Sequence, residues 1–111
     1  MKDIINYGDF EKLDIRAGKI VAAEAPEWSE KLIRYEIDFG EEEGRRVLFS
    51  GIRKWYAPED LIGKMVPVII NMEPKKMGEE VSQGMVIMGD TEEGPKMLFL
   101  DTSIEPGTMI R

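Results

Sequence analysis

The sequence predicts an all-β domain: a five-stranded barrel with one short helix between its third and fourth strands. Three observations point there. Short apolar runs alternate with polar residues at period two and are divided by glycine, proline and acidic breaks. The phase of that alternation flips inside the first run, at Gly18. One segment, residues 58–63, carries helix-terminus chemistry in a chain that otherwise reads as strands.

Leu13, Ile15 and Ala17 alternate with Asp14 and Arg16, and after Gly18 the apolar positions become Ile20 and Ala22. A period of two cannot change phase without an extra residue or a bend, so a bulge or sharp bend is expected there. A loop over residues 25–30 follows. Ile33, Tyr35, Ile37 and Phe39 alternate with Arg34, Glu36 and Asp38 to give the clearest strand. Residues 40–44 read as an acidic turn. Val47 and Phe49 continue as a third strand, with Leu48 on its other face, and pair with the second as a hairpin. In segment 58–63, Pro58 occupies the first turn, Glu59 and Asp60 favour the positive end of the helix dipole, and Gly63 closes it. Trp55 and Tyr56 are expected to pack beneath that helix.

Val66, Val68 and Ile70 form the fourth strand; Pro67 has no N–H to donate, which predicts an edge position or a bulge. Residues 73–83 read as a long charged loop. A fifth strand covers 85–88, a further one 97–100, and residues 106–111 make a turn and a short terminal strand. Five principal strands with a helix between the third and fourth is the order of the OB fold, small terminal extensions aside. In that fold the second and third strands, with the loops after the first and fourth, form the binding face. Here those loops hold Lys31 on one side and Lys75 and Lys76 on the other.

Composition narrows the chemistry. The 111 residues are the size of one domain, taken as 1–111. There is no cysteine, so neither disulfides nor thiolate metal sites are available, and no histidine. The usual general base, nucleophile and zinc ligands are thus missing, and the expectation is a protein that is not an enzyme and uses no metal or cofactor. No apolar run approaches the ~18 residues of a membrane span, and the N-terminus lacks a signal-peptide core, so a cytoplasmic protein without membrane contact is expected. Net charge is −7, from 22 acidic and 15 basic residues. An acidic sum argues against nucleic acid, whereas clustered bases on one face can still attract phosphate over a Debye length of about 8–10 Å.

Four segments resemble one family. Residues 9–20 (DFEKLDIRAGKI) are similar to the opening strand of the tRNA-binding OB domain, and residues 50–64 (SGIRKWYAPEDLIGK) resemble its central signature. Residues 71–77 (NMEPKKM) through Ser82-Gln83-Gly84-Met85 resemble its loop between strands four and five, and Pro106-Gly107-Thr108 its closing turn. Family members usually carry an Asn-Ala-Asp-Lys-like stretch before the second strand; here Glu27-Trp28-Ser29-Glu30-Lys31 stands there and the lysine carries over. Glu79 and Glu80 fall where the long loop would face phosphate.

The resemblance implies a non-catalytic module that recognises tRNA by shape, accessory to methionyl-tRNA synthetase. It also implies a homodimer joined by the terminal segments, for which Ile4, Ile5, Tyr7, Met109 and Ile110 are the apolar candidates. Lys31, Lys75 and Lys76 are the candidate phosphate contacts, with Arg53, whose fork can hold phosphate by two donors, beside Lys54. Ser50, Asn71 and Ser82 can bond a phosphate, a 2′-hydroxyl or a base edge, or can cap turn backbone. Met85 can lie against a base or fill the core. Trp28 is the stacking candidate in a binding-side loop. The alternative function is a peptide-binding export chaperone of the same fold, for which the eight methionines would supply an adaptable apolar surface.

Overall fold

Alternation becomes burial along the strand predicted most clearly: Ile33, Tyr35 and Ile37 are fully buried, while Arg34, Glu36 and Asp38 point outward. The computed structural model describes residues 1–111. A helical turn, α1 (Tyr7–Glu11), is capped by Asn6, whose Oδ1 accepts from the Asp9 N–H at 2.8 Å. β1 (Ile15–Glu24), β2 (Ile33–Asp38), α2 (Gly40–Glu43) and β3 (Arg45–Ser50) follow, then a 3₁₀ turn (Pro58–Asp60) and β4 (Met65–Ile69). The remainder is β5 (Lys75–Met77), β6 (Glu80–Ser82), β7 (Met85–Val86), β8 (Met88–Thr91), β9 (Gly94–Met97) and β10 (Met109–Ile110).

The main sheet runs β3-β2-β1-β4-β7, with β10 beside the start of β1. These five strands curl into a nearly closed barrel, with the 3₁₀ turn between the third and fourth, as in the OB order. Its interior holds Ile20, Tyr35, Phe39, Leu48, Leu61, Val66 and Val68, each at most 1% exposed. Each such aliphatic or aromatic side chain contributes about 1.5–3 kcal/mol when withdrawn from water.

β1 turns the barrel's corner. It pairs with β4 over Ile15–Lys19 and with β2 over Lys19–Glu24. Ala17 and Gly18 are both buried, so the phase flip is real. Gly18 is needed for space: a Cβ there would lie 2.6 Å from Phe39 Cε1 and press on Ile37 Cγ2. The register shift itself comes later, between Ile20 and Ala22. Pro67 sits in an interior strand and not at an edge, where it costs a single ladder bond. It faces Ala17, whose own N–H and C=O turn away to the Thr108 carbonyl and the Gly107 N–H, so no donor is missing on the β1 side. The Pro67 carbonyl accepts from the Ile87 N–H on the other side, and the reciprocal donor of that pair is the one the proline lacks.

Several expectations are corrected. The loop 73–83 is a β5–β6 hairpin, and the turn 40–44 is a helical turn. The segment 58–63 shortens to a three-residue 3₁₀ turn. The first strand begins at Ile15, leaving Leu13 exposed, and the strand expected over 97–100 lies at Gly94–Met97, paired with β8. Trp55 is half-exposed and lies against Gly94 of the β8–β9 hairpin, while Tyr56 packs against the core. The Tyr56 hydroxyl accepts from the Met97 N–H at 2.9 Å. A tyrosine hydroxyl that is partly buried needs such a partner.

The barrel is closed between β3 and β7 by side chains as well as backbone. The Val47 carbonyl accepts from the Gln83 N–H at 2.9 Å, while the Val47 N–H donates to Gln83 Oε1 at 3.1 Å. The Phe49 N–H donates to the buried Ser82 hydroxyl at 3.0 Å, and Arg46 donates to the Ile70 carbonyl at 2.8 Å.

Gly18→Ala should destabilise the protein by about 1–3 kcal/mol through overpacking, read as a lower denaturant midpoint at unchanged m. Ser82→Ala should cost about 1–3 kcal/mol, because the buried Phe49 N–H is left without an acceptor, and should speed hydrogen exchange at that amide. The buried Tyr35 hydroxyl has no hydrogen-bond partner; the Ser50 side chain approaches without completing a bond, and burial pushes the phenol up to about 12. A raised folded pKa leaves stability unaffected below the free phenol value of about 10 and erodes it as pH climbs toward the folded value. Tyr35→Phe should therefore be near neutral at pH 7 and lose less stability than the wild type in alkaline titration.

Candidate functional site

The β5–β6 hairpin lies on the outer surface of β2 and β3, the face where OB barrels take ligands. Register explains how it is seated. Arg34 on β2 pairs with Phe49 on β3. Ser82 bonds the Phe49 backbone, and Glu80, two residues earlier and so on the same hairpin face, reaches Arg34. Two residues earlier again, Gly78 meets the loop between β1 and β2. A Cβ on Gly78 would sit 3.1 Å from the Trp28 ring, and the φ of +63° suits the first position of this two-residue turn. Trp28 in turn tilts against Phe49, ring centroids 5.9 Å apart.

The Arg34–Glu80 contact is a two-point fork: Nε donates to Oε1 at 2.7 Å and Nη2 to Oε2 at 2.9 Å. Glu36 and Glu24 lie 3.6 and 3.7 Å from Nη1. The hydrogen bonds to Glu80 raise the Arg34 pKa, and the same guanidinium holds the Glu80 carboxyl below the usual carboxylate range.

Two concavities beside this seat carry basic residues, and a third at the hairpin tip is lined by Trp28, Gly78, Glu79 and Glu80. Lys31 and Arg53, far apart in sequence, line one with Glu30, Gly51, Lys54 and Trp55. Arg53 is already engaged there: its guanidinium donates to the Pro26 carbonyl at 3.4 Å and to the Ser29 carbonyl. The Ser29 hydroxyl accepts from the Lys31 and Leu32 N–H groups at 3.2 Å each, so the loop is pinned and Lys31 is presented outward. The second, of about 210 Å³, is lined by Ser50, Lys75, Ser82 and Met85 with Phe49, Met72, Met77 and Val86. Met85 is 51% exposed, which places it on the surface and not in the core. Lys31, Lys75 and Lys76 are exposed and make no ion pair.

Other candidates lie elsewhere or are already bonded. Asn71 sits at the end of β4, where Oδ1 accepts from the Asp14 N–H at 2.9 Å and Nδ2 donates to the Lys12 carbonyl at 2.7 Å. It ties α1 to the barrel, outside these concavities. Ser82 is 5% exposed and serves the closure described above. Tyr7, Met109 and Ile110 line an apolar groove with Phe10 and Leu13, while Ile4 and Ile5 stand exposed beside it. Glu80 was legible as an acid near the expected phosphate face and Arg34 only as an outward polar position, and their pairing was not legible at all. Nothing in a strand's outward face signals a partner 46 residues away.

A seat of this kind, with unpaired lysines, thioethers and two half-exposed indoles around it, has the chemistry to take anions and flat or flexible groups. The chain matches the family described as "Putative tRNA binding domain" over residues 15–109. It is 44% identical over 110 residues to a methionine–tRNA ligase of Methanococcoides burtonii, covering 98% of this chain and 16% of that protein. A Xanthomonas campestris methionine–tRNA ligase is 43% identical over 110 residues, again with 16% of its length covered. The chain thus spans about a sixth of the curated relatives it matches. Among solved structures, it is similar to a MetRS-related protein of Pyrococcus horikoshii, with TM-score 0.92, 29% identity and 99% and 100% of the two chains covered. The chaperone CsaA of Bacillus anthracis superposes with TM-score 0.86, 34% identity and 98% and 100% coverage. Matched along nearly its whole length by the family model, the chain belongs to the tRNA-binding domain family.

Proposed function

We propose that this chain is a non-catalytic module that recognises the folded shape of tRNA and assists methionyl-tRNA synthetase by holding tRNA near the enzyme. The observation that carries it is the set of unpaired, exposed lysines on two elements distant in sequence: Lys31 on the β1–β2 loop, Lys75 and Lys76 on the β5–β6 hairpin. They flank one face of the barrel and would bind phosphate with release of counterions. Ser50 and Met85 share a concavity with Lys75 and would touch sugar or base, with Trp28 available for stacking at the loop edge. Arg53, Asn71 and Ser82 act by holding the loop, the first strand and the barrel closure in place. No step of chemistry is assigned to the chain, and a cytoplasmic setting fits the proposed synthetase role.

The same reading includes a homodimer. The groove of Tyr7, Phe10, Leu13, Met109 and Ile110, with Ile4 and Ile5 exposed beside it, is apolar surface that a second copy would cover. Two barrels would present two lysine-bordered faces and raise avidity for one tRNA. A second function has one specific observation in its favour. Met72, Met77 and Met85 line the cleft beside Phe49 and Val86, a flexible apolar surface suited to unfolded peptide, and CsaA is described as a chaperone.

Titration with unfractionated tRNA at several salt concentrations separates the two. The wild type should bind with affinity that falls steeply with salt. A Lys75→Ala/Lys76→Ala variant should bind about tenfold or more weakly, with a log–log salt slope shallower by about 1 per lysine lost. Absence of tRNA binding at low salt, with salt-insensitive binding of an unfolded peptide, would reject the tRNA function in favour of the chaperone.

A further inference from the structure

The ligand face of the barrel is occupied by the protein's own hairpin, and the contact that seats it has the shape of a phosphate contact. The Nε/Nη2 edge of Arg34 is filled by the two oxygens of Glu80 at 2.7 and 2.9 Å. A guanidinium fork accepts a phosphodiester in the same two-point geometry as a carboxylate. Arg34 stands on β2 at the position paired with Phe49, between Trp28 and the lysine-bearing hairpin. Its side chain is 20% exposed, and that of Glu80 is 43% exposed, so the carboxylate is the member that water and a ligand can reach.

From this geometry we propose that Arg34 is a latent phosphate ligand of the RNA face and that Glu80 is its built-in competitor. An RNA backbone phosphate takes the Nε/Nη2 edge, Glu80 leaves, and the tip of the β5–β6 hairpin is released from β2. The inference rests on the tRNA function proposed above and names a further specificity-determining pair for it. Glu24 and Glu36 face Nη1, the remaining side of Arg34, at 3.7 and 3.6 Å. They stay in place and repel an incoming anion. The tethered Glu80 also competes at the high effective concentration of an intramolecular partner. A single phosphate gains too little to displace it. A polyanion already held by Lys31, Lys75 and Lys76 brings its next phosphate to Arg34 at comparable effective concentration. The exchange therefore favours extended, folded RNA over mononucleotides and free phosphate.

The test measures tRNA affinity against salt for the full chain and for Glu80→Gln, Glu79→Gln, Arg34→Gln and the Arg34→Gln/Glu80→Gln pair. Glu80→Gln should bind several-fold tighter at fixed salt, because the phosphate no longer has to displace a tethered carboxylate from Arg34. Glu79→Gln removes the same charge from a residue without an arginine partner and should give a much smaller gain. Arg34→Gln should abolish the gain from Glu80→Gln. The Arg34 Nε–H resonance of the wild type supplies a second readout that needs no variant: tRNA should shift it, and inorganic phosphate at equal phosphate concentration should not. A Glu80→Gln effect equal to that of Glu79→Gln, or one that survives in the Arg34→Gln background, would overturn the competitor role while leaving tRNA binding intact. Failure of every form, the wild type included, to bind tRNA would overturn the parent function and this inference together.

Discussion

β3 has one edge that no strand covers, and the hydrogen bonds that satisfy it organise the rest of the molecule. The N–H groups of Val47 and Phe49 find their acceptors in the side chains of Gln83 and Ser82, and the Val47 carbonyl takes the Gln83 N–H. An unpaired buried donor costs about 1–3 kcal/mol, so this closure sets where residues 82 and 83 must lie. Once Ser82 is fixed, β6 has its register and its inward face. Glu80 and Gly78 follow at period two and meet Arg34 on β2 and Trp28 on the β1–β2 loop. Three contacts on alternate residues thus step the hairpin across β3, β2 and the loop. The two binding-side elements touch one another through Trp28 and Gly78 as a result.

The arginines and lysines divide the electrostatic work. Arg16 is held by Asp14, Arg34 by Glu80, and Arg46 by Glu43 and the Ile70 carbonyl, while Arg53 grips the carbonyls of Pro26 and Ser29. The planar guanidinium suits fixed, multi-point contacts of this kind, which is why these residues act in the frame. Lys31, Lys75 and Lys76 are left as mobile point charges in water. Such charges contribute little to stability and much to the attraction of a polyanion, in a manner that salt screens. The net charge of −7 is spread: the acidic clusters at 41–43 and 92–93 line neither basic concavity, whereas Glu30 and Glu73 each line one beside lysine, and Glu79 and Glu80 line the concavity at the hairpin tip.

The period-two runs and the glycine phase flip were sufficient to give the barrel, its strand order and the two flanking elements that carry lysine. They were sufficient because burial on one face of a strand writes itself into the chain locally. The family resemblance likewise located the segments that matter. Local patterns failed where a contact joins distant segments. The hairpin at 73–83 looked like a charged loop because its stabilising partners, Trp28 and Arg34, belong to the other end of the sheet. Ser82 and Asn71 looked like free polar ends because the backbone donors and acceptors they serve, at Phe49, Lys12 and Asp14, are remote in sequence.

What the chain determined by itself is therefore the principal barrel strands, the absence of cysteine and histidine chemistry, and the lysines set on two separate elements. What only the tertiary structure decided is which polar residues are available to a ligand. That depends on partners: a hydrogen bond or ion pair closed within the fold already engages Arg53, Asn71, Ser82 and the Arg34–Glu80 pair, which a ligand would meet as bonded groups and not as free ones. Partnership across tens of residues is a property of register and barrel closure, and no local sequence signal encodes it.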